Sequence, residues 1–120
     1  MQQNTGTVAF QGAGSLGSTS GITVSSGATL ELSNTGSSAA PITIAGDGHS
    51  SNGALHNSAG SNTLTGPSTI QGATINNSAA GTNLQLTGAV TLGLETNVTF
   101  ETTGNVSVTQ AIGNGNATLT

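Results

Sequence analysis

The apolar residues of this chain fall into short triplets that alternate with period two. Reading forward they are Val8-Ala9-Phe10, Ile22-Thr23-Val24, Leu30-Glu31-Leu32, Ile42-Thr43-Ile44, Ala73-Thr74-Ile75, Leu84-Gln85-Leu86, Val90-Thr91-Leu92, Val98-Thr99-Phe100, Val106-Ser107-Val108 and Ala117-Thr118-Leu119. The flanking residues of each triplet turn to one side of a pleated strand and the middle residue to the other. Thr, the commonest middle residue, suits a pleated surface because its branched side chain packs well there. Leu55, Leu64, Ile70 and Ile112 are weaker members of the series. Nowhere do apolar residues recur at i, i+3, i+4 and i+7 over three turns, so no long helix is expected. Gly, Asn and Ser punctuate the gaps, as turns with positive φ require.

Spacing selects among β architectures. From Leu84 the triplets begin at residues 84, 90, 98 and 106. Strands this short do not build a sandwich, whose strands run to about five or six residues. They fit an all-β parallel β-helix, a β-solenoid in which three strands make one coil. Each coil hydrogen-bonds to the next about 4.8 Å along the axis. The series predicts about four or five coils, more than the roughly three that a shared core needs. Residues 1–120 then form a single solenoid segment, with 1–21 as an N-terminal cap or an irregular first coil.

Composition agrees with stacking. Thr (21), Gly (19), Ser (15), Ala (14) and Asn (12) make up about two thirds of the 120 residues. Charged residues are 3% of the chain, against about 25% in an ordinary domain. Stacked coils place each side chain about 4.8 Å from its copy, where like charges repel and Thr, Ser and Asn do not. Low charge and only two Pro also separate the chain from disordered sequences. With no Lys or Arg, neither nucleic-acid backbones nor anionic membranes have a cation to meet. No apolar run approaches the ~18 residues of a membrane-spanning helix. The start, Met1-Gln2-Gln3-Asn4, lacks the charged and apolar regions of a signal peptide. Without Cys, disulfides play no part.

Several segments resemble a known repeat. Ile22-Thr23-Val24-Ser25-Ser26-Gly27-Ala28-Thr29-Leu30-Glu31-Leu32 resembles the T-V-x-x-G-T-L-x-L unit of autotransporter-associated β-strand repeats. Pro41 to Gly48, running into Asn52-Gly53-Ala54-Leu55-His56-Asn57, is similar to the element that follows in such proteins. So are Gly60 to Pro67, Ala79 to Ala89 and Gly104 to Val108. The resemblance covers about residues 17–120. It implies a right-handed parallel β-helix passenger region of a secreted or surface protein of a Gram-negative-type bacterium.

Candidate chemistry is sparse. Asp47, His49 and His56 are of metal-ligand type, yet Gly-Asp-Gly-His-Ser-Ser-Asn-Gly also reads as a polar turn. The carboxylates are Glu31, Asp47, Glu95 and Glu101; a retaining glycosidase needs two of them about 5–5.5 Å apart. No Arg, Tyr or Trp is present to hold a sugar, so no enzyme and no cofactor is expected. Asn76, Asn97, Asn105 and Asn116 begin Asn-x-Ser/Thr triplets, which so Asn- and Thr-rich a chain supplies by chance. Thr23, Thr43, Thr74, Thr91, Thr99 and Thr118 form an outward set. Such a face suits ice or a glycan, although Thr-x-Thr pairs occur only at Thr5-Gly6-Thr7, Thr63-Leu64-Thr65 and Thr118-Leu119-Thr120. The leading expectation is a structural stalk, adhesin or fibre segment that stacks head to tail on itself, with surface glycans or other cells as further partners. A ligand-binding surface is the alternative.

Overall fold

The computed structural model describes residues 2–3, 6–12, 21–92, 97–109, 112–113 and 118–119. The strands, in chain order, are β1 (Gln2–Gln3), β2 (Gly6–Gln11), β3 (Ile22–Val24), β4 (Ala28–Ser33), β5 (Ser37–Ser38), β6 (Ile42–Gly46), β7 (Leu55–Ala59), β8 (Asn62–Leu64), β9 (Ser68–Asn77), β10 (Asn83–Leu86), β11 (Val90–Leu92), β12 (Asn97–Thr102), β13 (Asn105–Val108), β14 (Ile112–Gly113) and β15 (Thr118–Leu119). Every pairing is parallel. The helical piece among the described residues is one short 3-10 turn, His49–Ser51. The molecule is a β-solenoid of about four turns.

Three sheets run along the axis. Sheet A stacks β1, β3, β6, the first part of β9, β11 and β14. Sheet B stacks β2, β4, β7, the second part of β9, β12 and β15. Sheet C stacks β5, β8, β10 and β13. Within 1–21, the described strands β1 and β2 pair as rungs of sheets A and B. The strand β9 runs unbroken through the corner between A and B. Gly72 sits at that corner with φ +60°, a conformation that side-chain-bearing residues rarely adopt.

Register carries like residues above like. Inside sheet A the columns read Ile22, Ile42, Ser68, Val90 and Val24, Ile44, Ile70, Leu92. Inside sheet B they read Val8, Leu30, Leu55, Ile75, Phe100. Leu64 and Leu86 line sheet C. Ile42, Ile44, Leu84, Leu86 and Val98 are buried, as their place in the triplets predicts, while Thr43, Gln85 and Thr99 stand on the outer side. Phe100 is half-buried rather than buried. Val98 has β15 paired over it, and no described residue pairs over Phe100. Burying an aliphatic side chain contributes about 1.5–3 kcal/mol, so this column system is the main source of cohesion. Coil length is not constant: Ile22, Ile42, Ser68 and Val90 are 20, 26 and 22 residues apart along the chain.

Polar residues take over at the corner between sheets B and C. Asn57, Asn62 and Asn77 are each 0% exposed. Asn57 Nδ2 donates to Asn77 Oδ1 at 3.0 Å and to the Gly60 carbonyl at 2.9 Å. Asn62 Nδ2 donates to Asn57 Oδ1. Asn62 Oδ1 accepts from the backbone N–H of Thr35 (2.6 Å), the Thr35 hydroxyl (2.9 Å) and the N–H of Gly36 (3.1 Å). Asn77 Nδ2 donates to the Asn105 carbonyl at 2.8 Å. The amides therefore link four successive coils. Each satisfies turn groups that would otherwise be buried without partners, at about 1–3 kcal/mol apiece.

Candidate functional site

Two outer faces hold the residues with candidate chemistry. On sheet A, Thr23, Thr43, Thr69 and Thr91 occupy one position on four successive rungs. Thr23 and Thr91 are exposed, and Thr43 and Thr69 are half-buried. Gly21, Pro41, Pro67 and Ala89 precede the triplets, so small or rigid residues flank the column. No described acid lies on this face. Glu31 and Glu101 are in sheet B, and Asp47 is in the loop between β6 and β7.

The face of sheet B is different. Thr7 and Thr29 pair in register at one end, and Thr74 and Thr99 at the other. Between them the loop 47–53 folds back over the sheet. Thr29 Oγ1 donates to the Gly53 carbonyl at 2.8 Å and accepts from the His49 N–H at 2.7 Å. Thr74 Oγ1 donates to Asp47 Oδ1 at 2.9 Å. The Ala54 N–H donates to the Thr74 carbonyl at 2.8 Å. As a result Thr29 is 0% and Thr74 5% exposed. Gly48 makes the fold-back possible: at φ +84°, a Cβ there would lie 2.1 Å from the Gly53 carbonyl oxygen.

The expected outward set of threonines is thus divided. Thr23, Thr43 and Thr91 share the sheet A column, which Thr69 completes. Thr74 and Thr99 belong to sheet B, and the loop covers Thr74, so its place among the outward threonines is corrected. Thr118 is paired with Asn97 in β12, also on the B side.

An open cleft of about 250 Å³ lies on sheet B beside the loop, lined by Asp47, Thr74, Thr99 and Glu101. Asp47 and Glu101 thus come to one place from positions 54 residues apart. The carboxylate Glu31, by contrast, is in register with His56, and Asn76 and Glu101 continue that row. Glu95 lies outside the described residues.

The three residues of metal-ligand type do not converge. Among the described residues no three His, Cys, Asp or Glu side chains could share an ion. Asp47 is engaged by Thr74, and His56 Nε2 is 2.8 Å from the Ser78 hydroxyl. Asp47 and His49 do belong to a polar turn, a turn docked on the sheet. Of the Asn-x-Ser/Thr positions, Asn76 donates from Nδ2 to the Asn52 carbonyl at 3.2 Å, and Asn105 is exposed on β13. Asn116 lies outside the described residues.

Compared with protein families, curated proteins and solved structures, the chain finds no match. The likeness to autotransporter-associated repeats therefore rests on the motif residues alone.

Proposed function

We propose that this chain is a structural β-solenoid segment that grows by stacking coil upon coil, as part of a bacterial stalk, adhesin or fibre outside the cell. One observation supports the reading: the outer described rungs of two sheets carry neither charge nor Pro. Among the described residues β2 pairs only with β4, and β13 only with β10. The strands read Gly-Thr-Val-Ala-Phe-Gln and Asn-Val-Ser-Val, without a charge or a Pro. Natural sheets guard free edges with Lys, Pro or bulges, and this chain contains no Lys at all. Val8, Phe10, Val106 and Val108 are only half-buried at these ends. A further coil, from a longer chain or a second copy, would cover this apolar surface. Contact between opposite ends is heterologous, so it propagates instead of closing. A net charge of −4 opposes it weakly, screened beyond about 8 Å at physiological salt.

The test is light scattering and electron microscopy at rising concentration. Filaments one solenoid wide are expected, and Thr7→Lys with Ser107→Lys should shorten them. A monodisperse monomer at high concentration would overturn self-stacking.

A second reading is a ligand-binding solenoid, and the sheet A column supports it. Four hydroxyls in register, about 4.8 Å apart on an uncharged face, suit a neutral partner of regular repeat such as ice or a glycan. Thermal hysteresis and binding to a glycan array separate the two partners. Loss of the signal on Thr43→Lys, with retention on Thr63→Lys in sheet C, assigns the face. Equal loss from both variants removes this reading.

A further inference from the structure

We propose that Asn52 is a site of spontaneous covalent modification that the folded loop 47–53 holds closed. The pair Asn52-Gly53 has the chemistry for intramolecular deamidation. The backbone nitrogen of Gly53, on losing its proton, attacks Cγ of Asn52. The new N–Cγ bond forms as the Cγ–Nδ2 bond breaks, and the amide nitrogen takes up the proton and leaves as ammonia. Water then opens the five-membered imide to Asp or isoaspartate. Glycine on the C-terminal side offers no Cβ to obstruct the attack.

Asn52 is exposed, so its side chain is reachable by water. The peptide bond that must move is not free to do so. Gly53 N–H, the nucleophile, donates to the Asp47 carbonyl at 2.8 Å. The Gly53 carbonyl accepts from Thr29 Oγ1 at 2.8 Å. On the other side, Asn52 N–H donates to the His49 carbonyl at 3.1 Å, and the Asn52 carbonyl accepts from Asn76 Nδ2 at 3.2 Å. Asn52 sits at φ −82°, ψ −1°. Ring closure requires rotation about its Cα–C bond to bring the Gly53 nitrogen round toward Cβ. Gly53 is at φ +92° and buried, with the Thr74 carbonyl 3.1 Å from where a Cβ would be. Rotation therefore breaks the bonds that dock the loop on sheet B.

The consequence is a one-way latch. While the loop is docked, residue 52 stays an amide. Once the loop lifts, conversion places a carboxylate in the same loop as Asp47, in a chain without Lys or Arg to balance it. The isoaspartate product also lengthens the backbone by one carbon, so the bonds to Asp47 and Thr29 cannot both re-form.

The experiment incubates the full chain at mildly alkaline pH, folded and in guanidinium chloride. Thermolysin digestion and mass spectrometry then read the amide-to-acid conversion at residue 52, since trypsin has no site. Folded protein should keep Asn52 about tenfold longer or more than unfolded protein, the factor set by the loop-opening equilibrium. Thr29→Val, which removes the hydroxyl bound to both Gly53 and His49, should lose most of that protection while retaining its strand circular dichroism. Equal rates in the folded and unfolded chain overturn the proposal. So does full protection in Thr29→Val when its Gly53 amide exchanges faster than in the wild type. Should Thr29→Val fail to fold, wild-type protein in sub-denaturing guanidinium chloride decides: a conversion rate that rises with Gly53 amide exchange supports the latch, and one indifferent to it overturns it.

Discussion

Sheets A and B begin from the same pattern and end as opposite surfaces. Both set threonines in register on neighbouring strands, as a column of four on A and as two pairs on B. On A the column Thr23, Thr43, Thr69, Thr91 is open and uncharged. On B the corresponding hydroxyls of Thr29 and Thr74 are consumed by the loop 47–53, with Glu101 and Asp47 beside them. The difference comes from one insertion between β6 and β7. Outer threonines are thus adaptable: left alone they make a surface, and given a loop they become its anchors.

The contrast breaks most severely if the loop cannot dock. Gly48→Ala places a methyl group against the Gly53 carbonyl at an unfavourable φ and should cost about 3 kcal/mol. Gly27→Ala, at φ +90° but with open space around it, should cost only about 1 kcal/mol. Urea denaturation of the two variants measures the gap, and equal losses mean that the loop contributes little.

The corner that holds the faces in place gives the next effect. Asn77→Ala leaves the Ala79 N–H and the Asn105 carbonyl without this amide and removes one of the bonds of Asn57, and should cost about 2–3 kcal/mol. Asn76→Ala, one residue away and pointing outward, should cost about 0.5 kcal/mol. Similar midpoints for the two variants would remove the amide chain as a structural element.

A direct comparison of the faces is smaller. Thr74→Val removes the bond to Asp47 and should cost about 1 kcal/mol, while Thr43→Val should stay within about 0.5 kcal/mol. Thermal melts of the pair check the order, and a larger loss at Thr43 reverses the assignment of the faces.

The smallest effect has the opposite sign. Ser68 replaces an aliphatic residue in the interior column between Ile42 and Val90, and its hydroxyl has no hydrogen-bond partner. Ser68→Val should stabilise by about 0.5–1 kcal/mol, seen as a higher urea midpoint. A loss instead means that the column has no room for the added methyl groups.

The same residue explains part of what sequence reading reaches. Apolar triplets identify their strands because inward burial demands that alternation. Ser68-Thr69-Ile70 breaks the pattern at its first position, so Thr69 escapes the outward set although it completes the column. Strands β1 and β5 are wholly polar, Gln2–Gln3 and Ser37–Ser38, and owe their conformation to the rung beside them. Asn57, Asn62 and Asn77 have the composition of turns, and nothing local distinguishes an amide aimed into the core from one in water. The segment 47–53 is legible as a polar turn. Its docking is not, because Thr29 and Thr74 reach it from coils on either side, about one coil length away in sequence.

The unequal coil lengths bear on how such a protein changes over time. Interior columns remain in one-to-one register although their members are 20, 26 and 22 residues apart. The excess is taken up between strands, as in the loop between β6 and β7. Axial growth and lateral ornament are therefore separately heritable. Duplicating a coil lengthens the rod without redesigning its cross-section, and lengthening a corner adds a feature without disturbing the rungs. The corner at 47–53 is such a feature, and the neighbouring strands are the frame that carries it.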